Sequence, residues 1–132
     1  MRLLLDTSAY SAFMRGHAEI RAVVRSNEEI LLNSTVIGEL MAGFIKGGRR
    51  RKNEDELRRF LMSPRVSLVD VGEETAERYA VMLNFLWQAG TPIPTKDIWI
   101  AASAMEYGLR VVTTDEHYDK VPQIMVEYCA VK

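Results

Sequence analysis

Four carboxylates stand where a phosphate-handling site would need them. Asp6 ends the apolar run Leu3-Leu4-Leu5, and Glu39 lies shortly after Ile30-Leu31-Leu32. Asp97 follows Pro92-Ile93-Pro94-Thr95-Lys96, and Asp115 ends the run Val111-Val112-Thr113-Thr114. Acids just past strand ends, or in the first turns of the helices that follow, can converge at one rim of a parallel sheet, where open α/β folds bind ligands. Carboxylates crowded together repel one another, and burying them unpaired is costly. A hard divalent cation relieves that repulsion and prefers oxygen ligands. The expected chemistry is an Mg²⁺ or Mn²⁺ site acting on phosphate.

Each acid taken alone has a plainer role. Asp6 and Asp115 are the kind of residue that caps helices, Asp97 would favour a helix dipole from the first turn, and Glu39 could be a solvated helix residue. The joint placement argues for a site. Three of the four sit at separate strand-to-helix junctions. Glu39 follows the remaining junction within about two turns of helix and borders the apolar stripe of Val36 and Leu40. Thr113, two residues before Asp115, offers a hydroxyl that could hold a water.

Other phosphate chemistries fit poorly. An aspartyl-phosphate phosphatase would want a second Asp two residues after the first, where Ser8 stands. A receiver domain would want paired acids at the first strand end and a late Lys. The chain has neither G-x-x-x-x-G-K-[ST] nor G-x-G-x-x-G, so nucleotide cradles are unsupported. His17 and His117 are not spaced as zinc ligands, and a nucleophile elbow G-x-S-x-G is absent.

The elements that must position these acids alternate between strand and helix. Arg2 to Asp6 reads as a buried first strand. Thr7 or Ser8 is expected to cap a helix running to about Arg15 and broken by Gly16. A second helical stretch begins at Ala18. Ile30 to Asn33 reads as strand two, with Ser34 or Thr35 capping a helix whose stripe is Val36, Ile37, Leu40, Met41 and Phe44. Gly47-Gly48 ends it. Arg49-Arg50-Arg51-Lys52 then reads as a short basic loop, a candidate contact for a phosphate backbone beside an acidic pocket. A helix marked by Leu57, Phe60 and Leu61 follows, then a third strand over Val66 to Val71. The longest helix spans Glu73 to Ala89, with Ala76, Tyr79, Ala80, Leu83 and Trp87 expected on its core face and Gly90 at its end. Asp97 to Tyr107 is a helix with Ile98, Ala101, Ala102 and Met105 on one stripe. Val111 to Thr114 is strand four and Met125 to Tyr128 an edge strand. Alternation of this kind implies a parallel sheet covered on both faces.

The bulk properties are consistent with this. A chain of 132 residues is expected to be one domain, 1–132. Its net charge of −1 excludes a uniformly basic nucleic-acid binder, so contact with RNA or DNA must come from a local patch. One cysteine, Cys129, allows no internal disulfide. With no signal-peptide pattern and no membrane-length apolar run, the expected location is the cytoplasm.

Three segments together resemble the PIN-domain nucleases: Leu5-Asp6-Thr7-Ser8, then Pro94-Thr95-Lys96-Asp97-Ile98-Trp99-Ile100-Ala101-Ala102, then Val112-Thr113-Thr114-Asp115-Glu116-His117-Tyr118. With Glu39 between the first two, the match spans nearly the whole chain in the family's order and spacing. Size points to the VapC toxins of toxin–antitoxin pairs. The resemblance implies a PIN-like α/β fold with a five-stranded parallel sheet ordered 3-2-1-4-5. It also implies an Mg²⁺- or Mn²⁺-dependent endoribonuclease acting on tRNA or another structured RNA. By position it implies an acidic quartet of Asp6, Glu39, Asp97 and Asp115, with Asp6 and Asp97 the foremost metal ligands. Thr113 would be a supporting hydroxyl and Asp119 an accessory acid. Lys96 stands where a small polar residue is common and is expected to contact phosphate or the neighbouring acids, while Tyr118 replaces the more usual Phe as packing. A homodimer and a VapB-type antitoxin are implied partners, with operator DNA bound through the antitoxin. A structure-specific DNA nuclease of the same fold and a non-catalytic RNA- or protein-binding scaffold are the rival readings. Four clustered acids argue against the scaffold.

Overall fold

The structure, a computed structural model, describes residues 1–131. The first strand, β1 (Arg2–Leu5), is apolar without alternation because both its faces are covered, and Leu3, Leu4 and Leu5 are buried. Helix α1 (Thr7–Met14) follows at once. Its cap is Asp6 itself, not Thr7 or Ser8. The reason is geometric: Asp6 is the last residue with extended backbone (φ −80°, ψ 178°), so its carboxylate reaches forward to the Ala9 N–H at 2.8 Å. Gly16 then adopts φ +86°, which ends this first helical segment.

After α2 (Ala18–Arg25), β2 (Glu29–Asn33) repeats the arrangement. Asn33, again extended, caps α3 (Ser34–Lys46) by accepting from the Val36 N–H at 2.9 Å, in place of Ser34 or Thr35. Asn33 is wholly buried and its amide also donates to the Ser103 hydroxyl at 3.0 Å. It therefore ties the end of β2 to a helix seventy residues away. Asn33→Ala is expected to cost about 2–3 kcal/mol, because it strands a helix N–H and a buried hydroxyl together. Denaturant unfolding would show this as a lower midpoint at constant slope, and an unchanged midpoint would refute the assignment.

The basic segment is not a loop. Arg50, Arg51 and Lys52 form the first turn of α4 (Arg50–Leu61), with Arg49 at its N-cap. Cations there oppose the helix dipole, and Arg50 is partly offset by Glu54 one turn on, at 3.0 Å. Strand β3 stops at Val69 (Val66–Val69), short of the expected Val71. Helix α5 spans Glu73–Ala89 as expected, and Tyr79 and Leu83 of its expected core face are half-buried against the core, but the fully buried residues are Thr75, Met82 and Leu86, while Ala76, Ala80 and Trp87 are exposed. Val81 and Phe85 are exposed as well. The helix is apolar on two sides, and only packing against the next helix chooses between them. That helix, α6 (Thr95–Tyr107), is buried nearly all round, from Asp97 through Ala104; only Met105 of its expected stripe is exposed. Its alanines allow close approach to α3, α5 and the sheet.

Strand β4 (Arg110–Thr113), a 3₁₀ turn over Glu116–Lys120 that the sequence pattern did not reveal, and β5 (Met125–Tyr128) complete the chain. The sheet is wholly parallel in the order β3-β2-β1-β4-β5, as expected for the family it resembles. Leu4 lies opposite Leu31 on one side and Val111 on the other. Parallel pairing puts every carboxyl end on one rim, so residues just past β1 and β4 must lie near each other. Among the described residues, no helix is long and apolar enough to cross a membrane.

Candidate metal centre

Asp6 follows β1, and its side chain is almost wholly buried. Its Oδ1 accepts from the Ser8 hydroxyl at 2.7 Å and from the Ala9 N–H at 2.8 Å, and its Oδ2 from the Thr113 hydroxyl at 2.6 Å. Thr113 in turn accepts from the Asp115 N–H at 2.9 Å, and Ser8 from the Thr114 N–H at 3.0 Å. The ends of β1 and β4 are thus laced by hydroxyls that hold Asp6 in one position. Thr113 bridges Asp6 and the Asp115 N–H; Ser8 is a partner that spacing alone does not reveal.

Asp97 enters from the first turn of α6, also buried. Its Oδ2 lies 3.0 Å from His117 Nδ1, and the Tyr118 hydroxyl donates to its Oδ1 at 3.3 Å. Asp115 caps the 3₁₀ turn through the His117 N–H at 2.9 Å, and its Oδ1 is also 3.0 Å from His117 Nδ1. One imidazole nitrogen therefore stands between two carboxylates. Asp97, Asp115 and His117 each offer a ligand atom, and these lie within 4.8 Å of one another. Glu39 approaches from α3. The Thr7 hydroxyl donates to its Oε1 at 2.6 Å, and Lys96 Nζ is 3.0 Å from its Oε2. Lys96 thus contacts a neighbouring acid, one of the two roles expected for it.

The charges are poorly compensated. Burial, and then the nearby Asp97 charge, hold the Asp6 carboxyl above the ordinary carboxylate range despite its hydrogen bonds to Thr113, Ser8 and Ala9. Burial likewise raises Asp97, with Asp115 adding to it, against the opposing pull of His117 and Lys96. The bond to Glu39 raises Lys96, and Asp97 and Asp115 contribute. Among the described residues Lys96 is the one fixed cation directly at the cluster, and Glu39 already engages it. Oxygen donors in excess over cations suit a hard divalent ion, and the imidazole of His117 suits Mn²⁺ better than Mg²⁺. A carboxylate has about four lone-pair sites. The three bonds to Asp6 leave it about one for an ion.

The family model for the PIN domain matches residues 3–124. The chain belongs to the PIN-domain family. Ribonuclease VapC4 of Mycobacterium tuberculosis is 27% identical over 90 residues, covering 68% of this chain and 69% of that protein. Two solved structures have the same fold across the whole domain. VapBC2 of Rickettsia felis, bound to a DNA fragment from its promoter, has a TM-score of 0.86 at 23% identity and covers 97% of this chain and 98% of that one. DNA-bound VapBC of Salmonella typhimurium has a TM-score of 0.84 at 25% identity and covers 96% of this chain and 97% of that one.

Not every expected residue reaches the cluster of this PIN domain. Asp119 is exposed on the 3₁₀ turn, and the group it influences is Tyr128, whose hydroxyl it helps to raise after burial and Glu116. Arg49 to Lys52 are exposed on α4, and no hydrogen bond or ion pair among the described residues links them to the carboxylates. Sequence spacing gives His117 no zinc-type partner and so does not mark it. The available signal was local: two residues after Asp115, it sits in the turn that Asp115 caps. Tyr118 is more than packing, since its hydroxyl reaches Asp97. At 3.3 Å that bond is long, so Tyr118→Phe is expected to change stability by no more than about 1 kcal/mol. Thermal unfolding of the PIN domain would check this, and a much larger loss would make the hydroxyl essential.

Proposed function

We propose that this PIN domain is a metal-dependent endoribonuclease and the toxin of a VapBC-type toxin–antitoxin module. The observation that carries the reading is the meeting of Asp6, Asp97 and Asp115 at one sheet rim with more negative charge than the protein itself neutralises. The VapC ribonucleases among its relatives and the VapBC complexes among its structural neighbours support it. The proposed partners follow from the same likeness: RNA as substrate, a VapB-type antitoxin, a second copy of the chain, and operator DNA reached through the antitoxin. The proposed location is the cytoplasm.

Asp97 and Asp115 are the proposed principal ligands, with the remaining lone pair of Asp6 behind them, His117 at their side and Glu39 at the margin. Bound there, Mg²⁺ or Mn²⁺ would make water more acidic and offset charge on the scissile phosphate. The protein's own groups do the positioning. Thr113 and Ser8 fix Asp6. Asp115, whose backbone N–H is held by Thr113, faces the space beside Asp97. Lys96, half exposed, can leave Glu39 for a substrate phosphate. A tRNA is the proposed target class, since structured RNA is read by shape and by splayed loops. Purified protein should cleave total tRNA with Mg²⁺ or Mn²⁺ and not with EDTA. Cleavage undiminished by EDTA would sink the metal, and cleavage of DNA alone would move the reading to a DNA nuclease.

A further inference from the structure

Away from the carboxylates, three arginines converge on one cavity with no acid among its walls. Phe13, Arg21, Val24, Arg25 and Arg65 line a depression of about 220 Å³ between the end of α1, the last turn of α2 and the approach to β3. Arg65 donates from Nη2 to the Val24 carbonyl at 2.6 Å and also to the Asn27 carbonyl. Arg21 Nε donates to the Phe13 carbonyl at 3.1 Å, and its guanidinium lies 5.1 Å from the centre of the Phe13 ring. Arg25 is exposed in the last turn of α2. None of the three takes part in an ion pair among the described residues.

Helix ends explain the first two arginines singly, because terminal carbonyls attract cations. Arg25, in the last turn of α2, meets the same dipole, but helix ends do not explain three cations together without a carboxylate, since like charges closer than a Debye length of about 10 Å repel. An anion resolves that repulsion. The site is also prepared for one: an arginine carries five N–H donors, and Arg21 and Arg65 each spend only part of that fork on a carbonyl, which holds the remainder in place. The aromatic ring at the cavity is already engaged, with Arg21 over it and Phe60 packed against it at 5.7 Å between centroids, so it is a poor platform for a base. The ligand chemistry is therefore phosphate, without base recognition.

We infer that this cavity binds a backbone phosphate of the RNA substrate at a point remote from the cut. The inference rests on the ribonuclease reading for the identity of the polyanion. It answers a difficulty in that reading: a rim of carboxylates repels RNA, and a chain of net charge −1 must draw RNA in through a local patch. Arg50 and Arg58 of α4 suit that task less well, because Arg50 pairs with Glu54 and Arg58 with Asp55. Phe13 is seven residues along α1 from Asp6, about 10 Å at 1.5 Å per residue. The cavity therefore lies at the other end of α1 from the carboxylates.

The test is fluorescence anisotropy of labelled tRNA and of an unrelated RNA with the intact protein in EDTA, over a series of salt concentrations. Arg25→Ala and Arg21→Gln should each weaken both RNAs alike and lower the salt slope by about 0.7 to 0.9, the loss of one phosphate contact. Arg25→Lys should restore most of the binding, and Arg78→Ala on α5 should leave slope and affinity as in the wild type. Wild-type slopes in both arginine variants would overturn the inference, as would losses no larger than that of Arg78→Ala. Binding is read without cleavage, so the two proposals fail separately: a protein that shows these slopes yet cuts no RNA would sink only the nuclease reading.

Discussion

Asp6→Asn is expected to lower RNA cleavage by about two to three orders of magnitude, the scale of losing one preorganised electrostatic group from a transition state. The fold should survive. Asn can still accept from Ser8 and the Ala9 N–H through its carbonyl, as Asp6 Oδ1 does. What changes is the other half of the side chain. An amide NH₂ would face the Thr113 hydroxyl, which now donates to Asp6 while accepting from the Asp115 N–H. Thr113 would have to turn, and Asp115 would loosen with it. The negative charge would be lost as well. Single-turnover cleavage at saturating metal, beside circular dichroism of the variant, separates lost chemistry from lost structure. Wild-type cleavage by a folded Asp6→Asn protein would remove Asp6 from the site.

Divalent ions should stabilise the protein strongly. An ion at a hundred times its dissociation constant adds about 2.7 kcal/mol if it binds only the folded chain, which for a domain of this size is roughly 10 °C in melting temperature. EDTA should reverse the increment, and Asp97→Asn should abolish most of it. Mn²⁺ should exceed Mg²⁺, given the imidazole at the cluster. The increment should also depend on pH. Asp6 and Asp97 both titrate above 3.8 in the folded protein. A carboxyl raised on folding favours the folded state below its unfolded value, and that contribution is lost as pH rises through the folded value. Without metal, stability from these two groups should therefore fall as pH climbs from 3.8, and it is at higher pH that the ion has most repulsion to relieve. Scanning calorimetry with Mn²⁺ and with EDTA across that window should find the difference growing with pH. A metal increment that is absent, or that shrinks as pH rises, would refute the centre.

Much of the architecture is written in local pattern. β1 and β2 are unbroken apolar runs because they lie inside a parallel sheet, and the bounds of α5 follow from its acidic first turn and from Gly90 at φ +70°. Helix faces were less legible. Val81, Phe85 and Trp87 make the outer side of α5 as apolar as the inner, so periodicity alone had two answers. The start of α4 was obscured for an electrostatic reason: three cations in a first turn are unfavourable until Glu54 and the packing of Leu57 are counted.

For the site, the sequence by itself determined that Asp6 and Asp115 follow strands, and parallel topology then requires those two to share a rim; Asp97, expected at a strand-to-helix junction, instead opens α6 directly after α5 and reaches that rim only through the packing of α6. The caps lie one or two residues before the expected Thr7 or Ser8 and Ser34 or Thr35, because hydroxyls, carboxylates and carboxamides are interchangeable by propensity; backbone conformation chose Asp6 and Asn33. Tertiary structure alone decided that His117 would stand between Asp97 and Asp115, that Lys96 would turn to Glu39, and that Asp119 would face solvent. Those outcomes depend on where side chains twenty to sixty residues apart meet. No one-dimensional spacing encodes that, because it is set by how closely the alanines of α6 let that helix approach the sheet.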